Sequence, residues 1–257
     1  MTNELSGKIV EIAHARQRFG YRRIHDLLRP SFPGVNHRRV YRLYSAANLA
    51  MRKRKKVKRP PSERVALQVA RAVNEGWSMD FVSDSLSTGR CIKCLTVADD
   101  FSHECVDIAV DWGISGEYVT RMLDRAALFR GYPLAVRTDN GPEFTSRAFM
   151  AWAQAHGIRR ILIEPGRPMQ NGCIENFNGK FRDECLNEQW FQDLQKARSA
   201  IKVWRQDYNE VRPHRSLRAC ATGQVRRAAS PASWRCRSNI FTHHRDQLTL
   251  QPRASSL

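Results

Sequence analysis

Apolar residues recur at helical spacing in the first part of the chain, between Leu5 and Leu49. Three short stretches each carry one apolar stripe, and the third begins after Pro33-Gly34 with Asn36 as a candidate N-cap. This pattern predicts three short helices in a unit the size of a helix-turn-helix domain.

The spacing changes from helical to strand-like near residue 76. Alternating apolar residues joined by turn-length segments predict three antiparallel strands, over residues 77–83, 92–98 and 104–111. After them the sequence predicts a helix over 116–129, a strand over 133–137, a helix over 147–156, a strand over 158–163, a helix starting at 171–172 and a last helix over 193–208. Strands that alternate with helices after an antiparallel trio indicate an α/β fold, in which a mixed sheet has helices on both faces and parallel later strands.

The chain carries many more basic than acidic residues. Lysine and arginine number 43 against 25 aspartates and glutamates, which gives a formal net charge of +18 and a pI near 10.3. Such a balance favours a polyanion as the partner. No apolar run in the sequence reaches the length of a membrane span, and the N-terminus lacks the layout of a signal peptide. We therefore expect a cytoplasmic protein without a membrane partner.

The densest basic segment spans residues 51–60 and holds seven basic residues and no acid. Like charges at this density repel one another, so we expect an extended linker that neutralises phosphates on DNA. The residues expected to do so are Arg52, Lys53, Arg54, Lys55 and Lys56. A solvated tail is the usual meaning of such a run, but its position between two candidate DNA-contacting parts favours binding.

The third predicted helix carries three arginines that can lie in a major groove: Arg38, Arg39 and Arg42. A solvated basic face on an ordinary three-helix bundle explains the composition equally well. The charge of the segment that follows favours the DNA-binding interpretation.

Seven cysteines, an odd number, indicate reduced thiols rather than a disulfide framework. Cys91 and Cys94 have metal-like spacing, but there is no second pair, and residues three apart in a strand point to opposite faces. A zinc site is therefore not expected.

Three acids are prominent because each lies in or directly beside an apolar segment: Asp80, Asp139 and Glu175. Asp80 lies in a predicted strand, Asp139 closes another, and Glu175 lies one turn into a predicted helix. Their carboxylate oxygens suit two hard divalent cations, and a pair of such ions can clamp a phosphodiester for phosphoryl transfer. For a single acid of this kind, a solvated turn or a helix cap is the commoner role.

The spacing of these acids is specific. Residues 140–174, 35 in all, separate Asp139 from Glu175, and Arg182 follows the glutamate by seven positions, two helical turns on and on the same face. The surrounding motifs are Trp77-x-x-Asp80, Thr138-Asp139-Asn140-Gly141-Pro142-Glu143-Phe144, Gly166-Arg167-Pro168-x-Gln170-Asn171-Gly172-x-Ile174-Glu175, Phe181-Arg182-Asp183-Glu184-Cys185-Leu186-Asn187 and Tyr208-Asn209-x-x-Arg212-Pro213-His214-x-Ser216-Leu217. The spacing resembles the Asp-Asp-35-Glu signature of transposases and retroviral integrases. Over roughly residues 20–217 the motifs resemble the second-reading-frame (OrfB) product of two-frame bacterial insertion elements of the IS-three family.

The resemblance implies a ribonuclease H-like catalytic core over residues 76–217, preceded by a helix-turn-helix-like DNA-binding module at 1–50 and a basic linker at 51–75. It implies a nucleoid-associated DNA transposase subunit that cleaves insertion-element ends and joins the 3′-hydroxyl to target DNA. Two Mg²⁺ ions, for which Mn²⁺ can substitute, would be the cofactors. The partners would be double-stranded DNA, further copies of the chain and the upstream-frame (OrfA) product.

The resemblance also suggests which residues act in the site. Asp80, Asp139 and Glu175 would be the catalytic metal ligands. The residues expected to support them are Asn140 and Gly141 in the turn after Asp139, Asn171 and Gly172 at the start of the helix that carries Glu175, and Arg182. Arg167, in a loop rich in glycine and proline, and Arg182 are expected to contact DNA. His214 lies within a family motif, and a packing or DNA-backbone role is favoured over general base catalysis.

Beyond Leu217 the resemblance stops. Residues 218–257 are rich in arginine, serine and alanine without clear periodicity, and we expect a disordered tail outside the family pattern. This tail leaves open a second hypothesis, a decayed and catalytically inactive copy that acts as a DNA-binding protein or repressor. A nuclease that acts on RNA–DNA hybrids is disfavoured, because such sites generally add a fourth acid.

Overall fold

The computed structural model describes residues 2–50, 70–163, 171–217 and 219–229. Several expected DNA-contacting residues and most of the tail lie outside the described residues. They are Arg52, Lys53, Arg54, Lys55 and Lys56 of the linker, Arg167 of the loop, Arg218 and residues 230–257.

In the described residues the helices are α1 (Thr2–Ala15), α2 (Tyr21–Leu28), α3 (His37–Ala46), α4 (Gly116–Arg130), α5 (Arg147–Ala155), α6 (Gly172–Glu184), α7 (Leu194–Glu210) and α8 (Thr222–Ala228). The strands are β1 (Trp77–Ser85), β2 (Cys91–Asp99), β3 (Cys105–Asp111), β4 (Ala135–Thr138) and β5 (Arg159–Leu162). Short 3₁₀ helices lie at Leu186–Glu188 and Arg215–Leu217. Within these residues, no helix combines the length and the apolar character that crossing a bilayer requires.

The three N-terminal helices form a small module with its own core. The side chain of Asn36 caps α3 by accepting a hydrogen bond of 2.8 Å from the Arg38 N–H, as its position in the sequence predicts. The buried apolar residues come from all three helices and the turn between α1 and α2: Leu5, Ile9, Ala13, Phe19, Ile24, Leu28, Val40 and Tyr44. The predicted three-helix unit is therefore confirmed.

The second part of the described chain is built on a five-stranded sheet with the order β3-β2-β1-β4-β5. β1 is antiparallel to β2, and β2 is antiparallel to β3, whereas β4 is parallel to both β1 and β5. The predicted mixed sheet with parallel later strands is confirmed, and β1 is its central strand.

Helices cover both faces of this sheet. α4 and α5 pack on the face to which Trp77 and Met79 of β1 point, and α6 and α7 pack on the opposite face with Val82. Because side chains alternate along a strand, Asp80 shares the face of Val82 and points towards α6. The fold therefore brings one candidate ligand, Asp80, beneath the helix that carries another.

The expectation of a disordered tail is wrong for residues 219–229, which include α8. Thr222 and Gly223 are buried, and the Thr222 hydroxyl lies 3.4 Å from the backbone oxygen of Asn209 on α7. A methyl group at Gly223 would lie 3.0 Å from that same oxygen. Small residues thus pack α8 closely on α7, and this kind of contact leaves no apolar period in the sequence.

Candidate active site

Asp80 lies in the middle of β1 and is partly buried. Its Oδ1 accepts a hydrogen bond of 2.7 Å from the Phe81 N–H, and its Oδ2 accepts one of 2.9 Å from the side-chain amide of Asn178 on α6. Both carboxylate oxygens are therefore oriented, one by the strand itself and one by the helix above it.

Asp139 follows directly after β4 and is exposed. Its Oδ1 accepts a hydrogen bond of 3.0 Å from the Gly141 N–H, so the turn holds the carboxylate. A Cβ at Gly141 would lie 3.0 Å from that oxygen and 3.3 Å from Glu143 Oε2, tighter than nine in ten real Cβ contacts, so both carboxylates would have to shift. Gly141 thus has a steric reason to be glycine, while Asn140 is exposed beside it.

The register of the sheet brings Asp80 and Asp139 to neighbouring positions. In the parallel pairing of β1 and β4, Ser78 is opposite Arg137. Asp80 follows Ser78 by two positions and Asp139 follows Arg137 by two, so each acid points to the same face of the sheet as the residue it follows. Paired strands run about 4.8 Å apart. Asp139 therefore follows β4 beside the part of β1 that carries Asp80.

Glu175 lies in the first turn of α6 and is exposed. Asn178 and Arg182 follow it by three and seven positions and share its face of the helix. Asn178 contacts Asp80, and Arg182 Nη2 donates a hydrogen bond of 3.1 Å to the backbone oxygen of Ser83. α6 therefore lies along β1 with the face that carries Glu175.

The charges of the three acids meet at Asp80. Burial raises the pKa of the Asp80 carboxyl, the negative charges of Asp139 and Glu175 raise it further, and the hydrogen bonds from Phe81 and Asn178 act in the opposite direction. Electrostatic coupling to both partners indicates that the three carboxylates occupy one region of the molecule.

The three acids do not form a complete metal-binding cluster in this structure. In the parts of the chain that the structure describes, no three His, Cys, Asp or Glu side chains are arranged so that they can hold a metal ion. The donor set itself, three carboxylates, is of the type that hard divalent cations bind. Metal binding at these acids remains a prediction.

Asn171 and Gly172 behave differently from each other. α6 begins at Gly172, as the sequence predicts, but the Asn171 side chain makes no capping hydrogen bond. Asn171 is 5% exposed, and its Oδ1 is buried without a hydrogen-bond partner among the described residues. Gly172 has nothing within 4 Å of the position a Cβ would take.

Two further contacts near the candidate acids were not predicted from the sequence. Thr96, opposite Asp80 on β2, places its hydroxyl 2.8 Å from Asn178 Oδ1 and 3.0 Å from the Asp80 backbone oxygen. The available signal was a polar residue between the apolar Leu95 and Val97. Glu143 does not start a helix, since α5 begins at Arg147; its carboxylate accepts a hydrogen bond from the Lys93 ammonium.

The expected DNA-contacting residues of the module lie on α3. Arg38 and Arg42 are exposed, and Arg39 is partly buried. Val40 and Tyr44 point into the core of the module, which leaves the arginine face outward. Contact of this face with DNA remains a prediction.

His214 is buried in an environment that favours its neutral form. It is 3% exposed, its ring meets that of Tyr208 at 4.7 Å in an edge arrangement, and its Nε2 lies 3.3 Å from the Tyr208 backbone oxygen. Burial lowers the pKa of His214 to about 3, and the charges of Arg212 and Lys180 lower it further. His214 is thus a buried, neutral packing residue, one of the two roles that the sequence favours over general base catalysis.

Comparison with protein families gives matches along most of the chain. An HTH-like domain matches residues 2–57, and two models of the integrase core domain match residues 70–168 and 156–221. The second of the core matches ends inside the segment that joins the 3₁₀ helix at Arg215–Leu217 to α8, beyond the point where the sequence motifs stop.

Relatives and solved structures agree with these matches. A 39.2 kDa protein of insertion element IS476 from Xanthomonas euvesicatoria is 65% identical over 215 residues, which are 84% of this chain and 62% of that protein. A 31.7 kDa protein of insertion element IS407 from Burkholderia multivorans is 59% identical over 220 residues, 86% of this chain and 79% of that protein. The chain thus spans less than two thirds of the length of the Xanthomonas protein.

Among solved structures, a chain of the simian T-cell lymphotropic virus intasome in complex with PP2A regulatory subunit B56 gamma matches with a TM-score of 0.52 and 16% identity. The match covers 97% of this chain and 79% of that one. The catalytic core domain of BIV integrase matches with a TM-score of 0.50 and 16% identity, over 63% of this chain and 99% of that one. At this identity the similarity shows the fold alone, the ribonuclease H-like fold of integrase cores.

Proposed function

Because the chain belongs to the insertion-element transposase family with an integrase core domain, we propose that it is a DNA transposase subunit. The proposed reaction is the cleavage of insertion-element ends and the joining of their 3′-hydroxyls to target DNA. The observation that supports this reaction most directly is the position of Asp80 on the central strand, next to β4, which Asp139 follows. α6, which carries Glu175, contacts Asp80 through Asn178.

In the proposed site Asp80 and Asp139 would hold Mg²⁺, or Mn²⁺ in its place, and Glu175 would complete the coordination. Such ions, when bound, lower the barrier by activating the attacking oxygen and neutralising charge on the leaving oxygen. Asn178 and Gly141 orient the Asp80 and Asp139 carboxylates before any ion arrives. Three negative charges in one region attract a cation, and a bound cation would offset the repulsion by which Asp139 and Glu175 raise the Asp80 pKa.

DNA is the proposed substrate on grounds of charge. The net charge is +18, and the exposed face of α3 carries Arg38 and Arg42. We propose that this face, the basic linker and Arg167 contact phosphates, and that Arg182 helps to hold the strand at the acids. Further copies of the chain and an upstream-frame product are proposed partners, because two element ends must be held together.

A strand-transfer assay tests the reaction. Labelled duplexes with the ends of the encoding element are incubated with the full chain and a target plasmid, in Mg²⁺ or Mn²⁺. For Asp80→Asn, Asp139→Asn and Glu175→Gln we expect cleavage and joining to fall by about 1,000-fold or more, because a metal ligand contributes several kcal/mol to the transition state. DNA binding should stay nearly unchanged, since none of these side chains is a phosphate contact.

The matched control is Asp183→Asn, which removes an exposed acid from the same helix as Glu175. This variant should cleave and join like the unaltered chain. Full activity in the Asp80→Asn variant would contradict the assignment of the site. Unaltered protein that folds and binds the ends but gives no product in either metal would support a non-catalytic DNA-binding protein instead.

A further inference from the structure

Three arginines of the N-terminal module bind carboxylates of the core, the part of the chain built on the five-stranded sheet. Two of these arginines directly follow α1, and the third lies in the first turn of α2. The pairs are Arg16 with Asp207 of α7, through two hydrogen bonds of 2.5 Å, Arg18 with Glu188 at 2.5 Å, and Arg23 with Glu184 of α6 at 2.8 Å. Three separate ion pairs therefore connect the module to the core.

The apolar clusters of the described residues do not cross this interface. The cluster of the module lies between residues 5 and 49, and the two clusters of the core begin at residue 77. Interfaces between parts of one chain allow relative motion unless they are large and hydrophobic. The docking of the module on the core therefore depends on charge more than on apolar burial.

The Phe19 ring of the module, 4% exposed, lies among arginines of both parts. The guanidinium carbons of Arg16 and Arg23 lie 5.2 Å from its centroid, and that of Arg212 in the core lies 5.8 Å away. Arg212 also donates two hydrogen bonds of 2.7 Å to Glu184. Because Glu184 keeps this partner when Arg23 leaves, separation of the module does not strand a buried negative charge in the core.

Water and ions reach the other two pairs. The Arg16 and Arg18 side chains are 26% and 48% exposed, and their partners Asp207 and Glu188 are 24% and 23% exposed. Salt screens partly exposed pairs of this kind. A guanidinium binds phosphate with the same forked geometry as it binds carboxylate. The phosphates of a nucleic acid can therefore compete with the carboxylates of the core for these arginines.

We propose that the three ion pairs form an electrostatic latch, which docks the module on the core without DNA and releases it when DNA phosphates replace the carboxylates. The released arginines, Arg16, Arg18 and Arg23, extend the phosphate-binding surface of the module beyond the exposed face of α3. This inference rests on the proposed function, because that function makes DNA the ligand. A permanent clamp between the two parts is the alternative role of the same pairs.

Carbodiimide cross-linking of the full chain with Arg18→Lys measures the docking directly. Arg18 reaches Glu188 through Nε, and the ammonium of a lysine lies one atom further along the side chain, so it can reach the same carboxylate. An amide bond between position 18 and Glu188 forms only while the module is docked. The internal control is the cross-link between Lys8 and Glu11, which lie 2.8 Å apart within α1. Mass spectrometry of the digested chain gives the ratio of the two cross-links.

The latch predicts that this ratio falls by about fivefold or more when NaCl is raised from about 0.05 M to about 0.5 M. A short DNA duplex of arbitrary sequence, added at the lower salt concentration, should lower the ratio by a similar factor of about five. A ratio that neither salt nor DNA changes would show a permanent clamp and overturn the latch. A fall in salt without a fall on addition of DNA would overturn the release by DNA. Absence of the cross-link at low salt would show that the module is not docked, and would also overturn the latch.

DNA affinity gives a second test, because an acid that competes with phosphate weakens binding. Asp207→Asn removes the partner of Arg16 and should tighten binding to the same duplex about threefold more than Asp183→Asn does. Asp183 is an exposed acid of α6, so the two variants have the same net charge. Fluorescence anisotropy measures both affinities, and equal affinities would contradict the competition. If circular dichroism shows that Asp207→Asn does not fold, the cross-link ratio decides.

The latch and the proposed reaction can fail separately. Strand transfer by the unaltered chain, together with a cross-link ratio that does not respond to salt or DNA, would overturn the latch and leave the reaction in place. Absence of DNA binding by the unaltered chain would overturn the proposed substrate, and the release of the module by DNA with it.

Discussion

At the scale of single residues, burial sets the protonation of the groups around the proposed site. It raises the pKa of Asp80 and lowers that of His214, because in both cases the charged form loses contact with water. Lys180, beside His214, follows the same rule, and burial lowers its pKa to about 8. The repulsion of Asp139 and Glu175 that adds to the raised Asp80 pKa would be offset by a bound cation, whereas a buried neutral histidine is suited to packing.

The buried His214 predicts a loss of stability in acid. Its pKa is 6.5 in the unfolded chain and about 3 in the folded one, so below pH 6.5 the unfolded chain takes up a proton that the folded chain does not. Stability should therefore rise with pH across this window, by up to about 1.4 kcal/mol per pH unit. Urea unfolding at pH 7 and pH 5 should show a loss larger by about 2 kcal/mol for the unaltered chain than for His214→Gln. Equal losses would contradict the buried neutral state.

At the scale of elements, most helix starts in the core follow local side-chain chemistry. Ser115 Oγ accepts from the Tyr118 N–H at the start of α4, and Ser146 Oγ accepts from the Phe149 N–H at the start of α5. α8 differs, because its N-cap residue is Ala221 and its position depends on close packing against α7. Local signals therefore predict the starts of α4 and α5 and miss that of α8.

Two helical glycines give a matched test of this packing. Gly223→Ala places a methyl group 3.0 Å from the Asn209 backbone oxygen. This overpacking should destabilise α8 by about 1.4 kcal/mol, so its amides should exchange with solvent about tenfold faster. Gly179→Ala in α6 meets nothing within 4 Å and should raise the free energy of unfolding by about 0.5–1 kcal/mol. Hydrogen exchange and chemical denaturation measure the two effects. Unchanged exchange in the Gly223→Ala variant would contradict the close contact of α8 with α7.

At the scale of the whole molecule, charged contacts dock the N-terminal module on the core. Glu184 at the end of α6 binds Arg23 of the module at 2.8 Å and Arg212 of the core through two hydrogen bonds of 2.7 Å. Arg16 of the module forms a two-pronged ion pair with Asp207 of α7. α6 therefore contacts the module at its end and carries the third proposed ligand in its first turn.

The buried Glu184 cluster predicts a large effect of one substitution. Arg212 is 3% exposed, so Glu184→Gln leaves the buried positive charge of Arg212 without a negative partner. This change should destabilise the protein by about 3 kcal/mol. Glu11→Gln breaks an exposed ion pair with Lys8 within α1 and should cost less than about 0.5 kcal/mol. Chemical denaturation at pH 7 compares the two. Similar costs for both variants would show that the cluster does not hold the molecule together.

The sequence by itself determined the elements and the order of the candidate ligands. Helical and alternating periods predict the three-helix module and the strands of the sheet to within a few residues, since these patterns reflect which side of an element is buried. The motifs around Asp80, Asp139 and Glu175 indicate the site because turns and helix starts depend on residues that are adjacent in the sequence. The metal site and its chemistry remain predictions.

Only the tertiary structure decided how the separate elements meet. It joins Arg16 to Asp207 across 191 positions, packs α8 on α7 and places Asp100 between Ser78 and Arg137. Contacts of this kind involve single charged or small residues. Such residues do not change the spacing of apolar positions in the sequence, and each could pair with many others. The chain therefore specifies its elements locally, but the choice among possible ion pairs and close contacts depends on the packed sheet and helices that bring particular residues together.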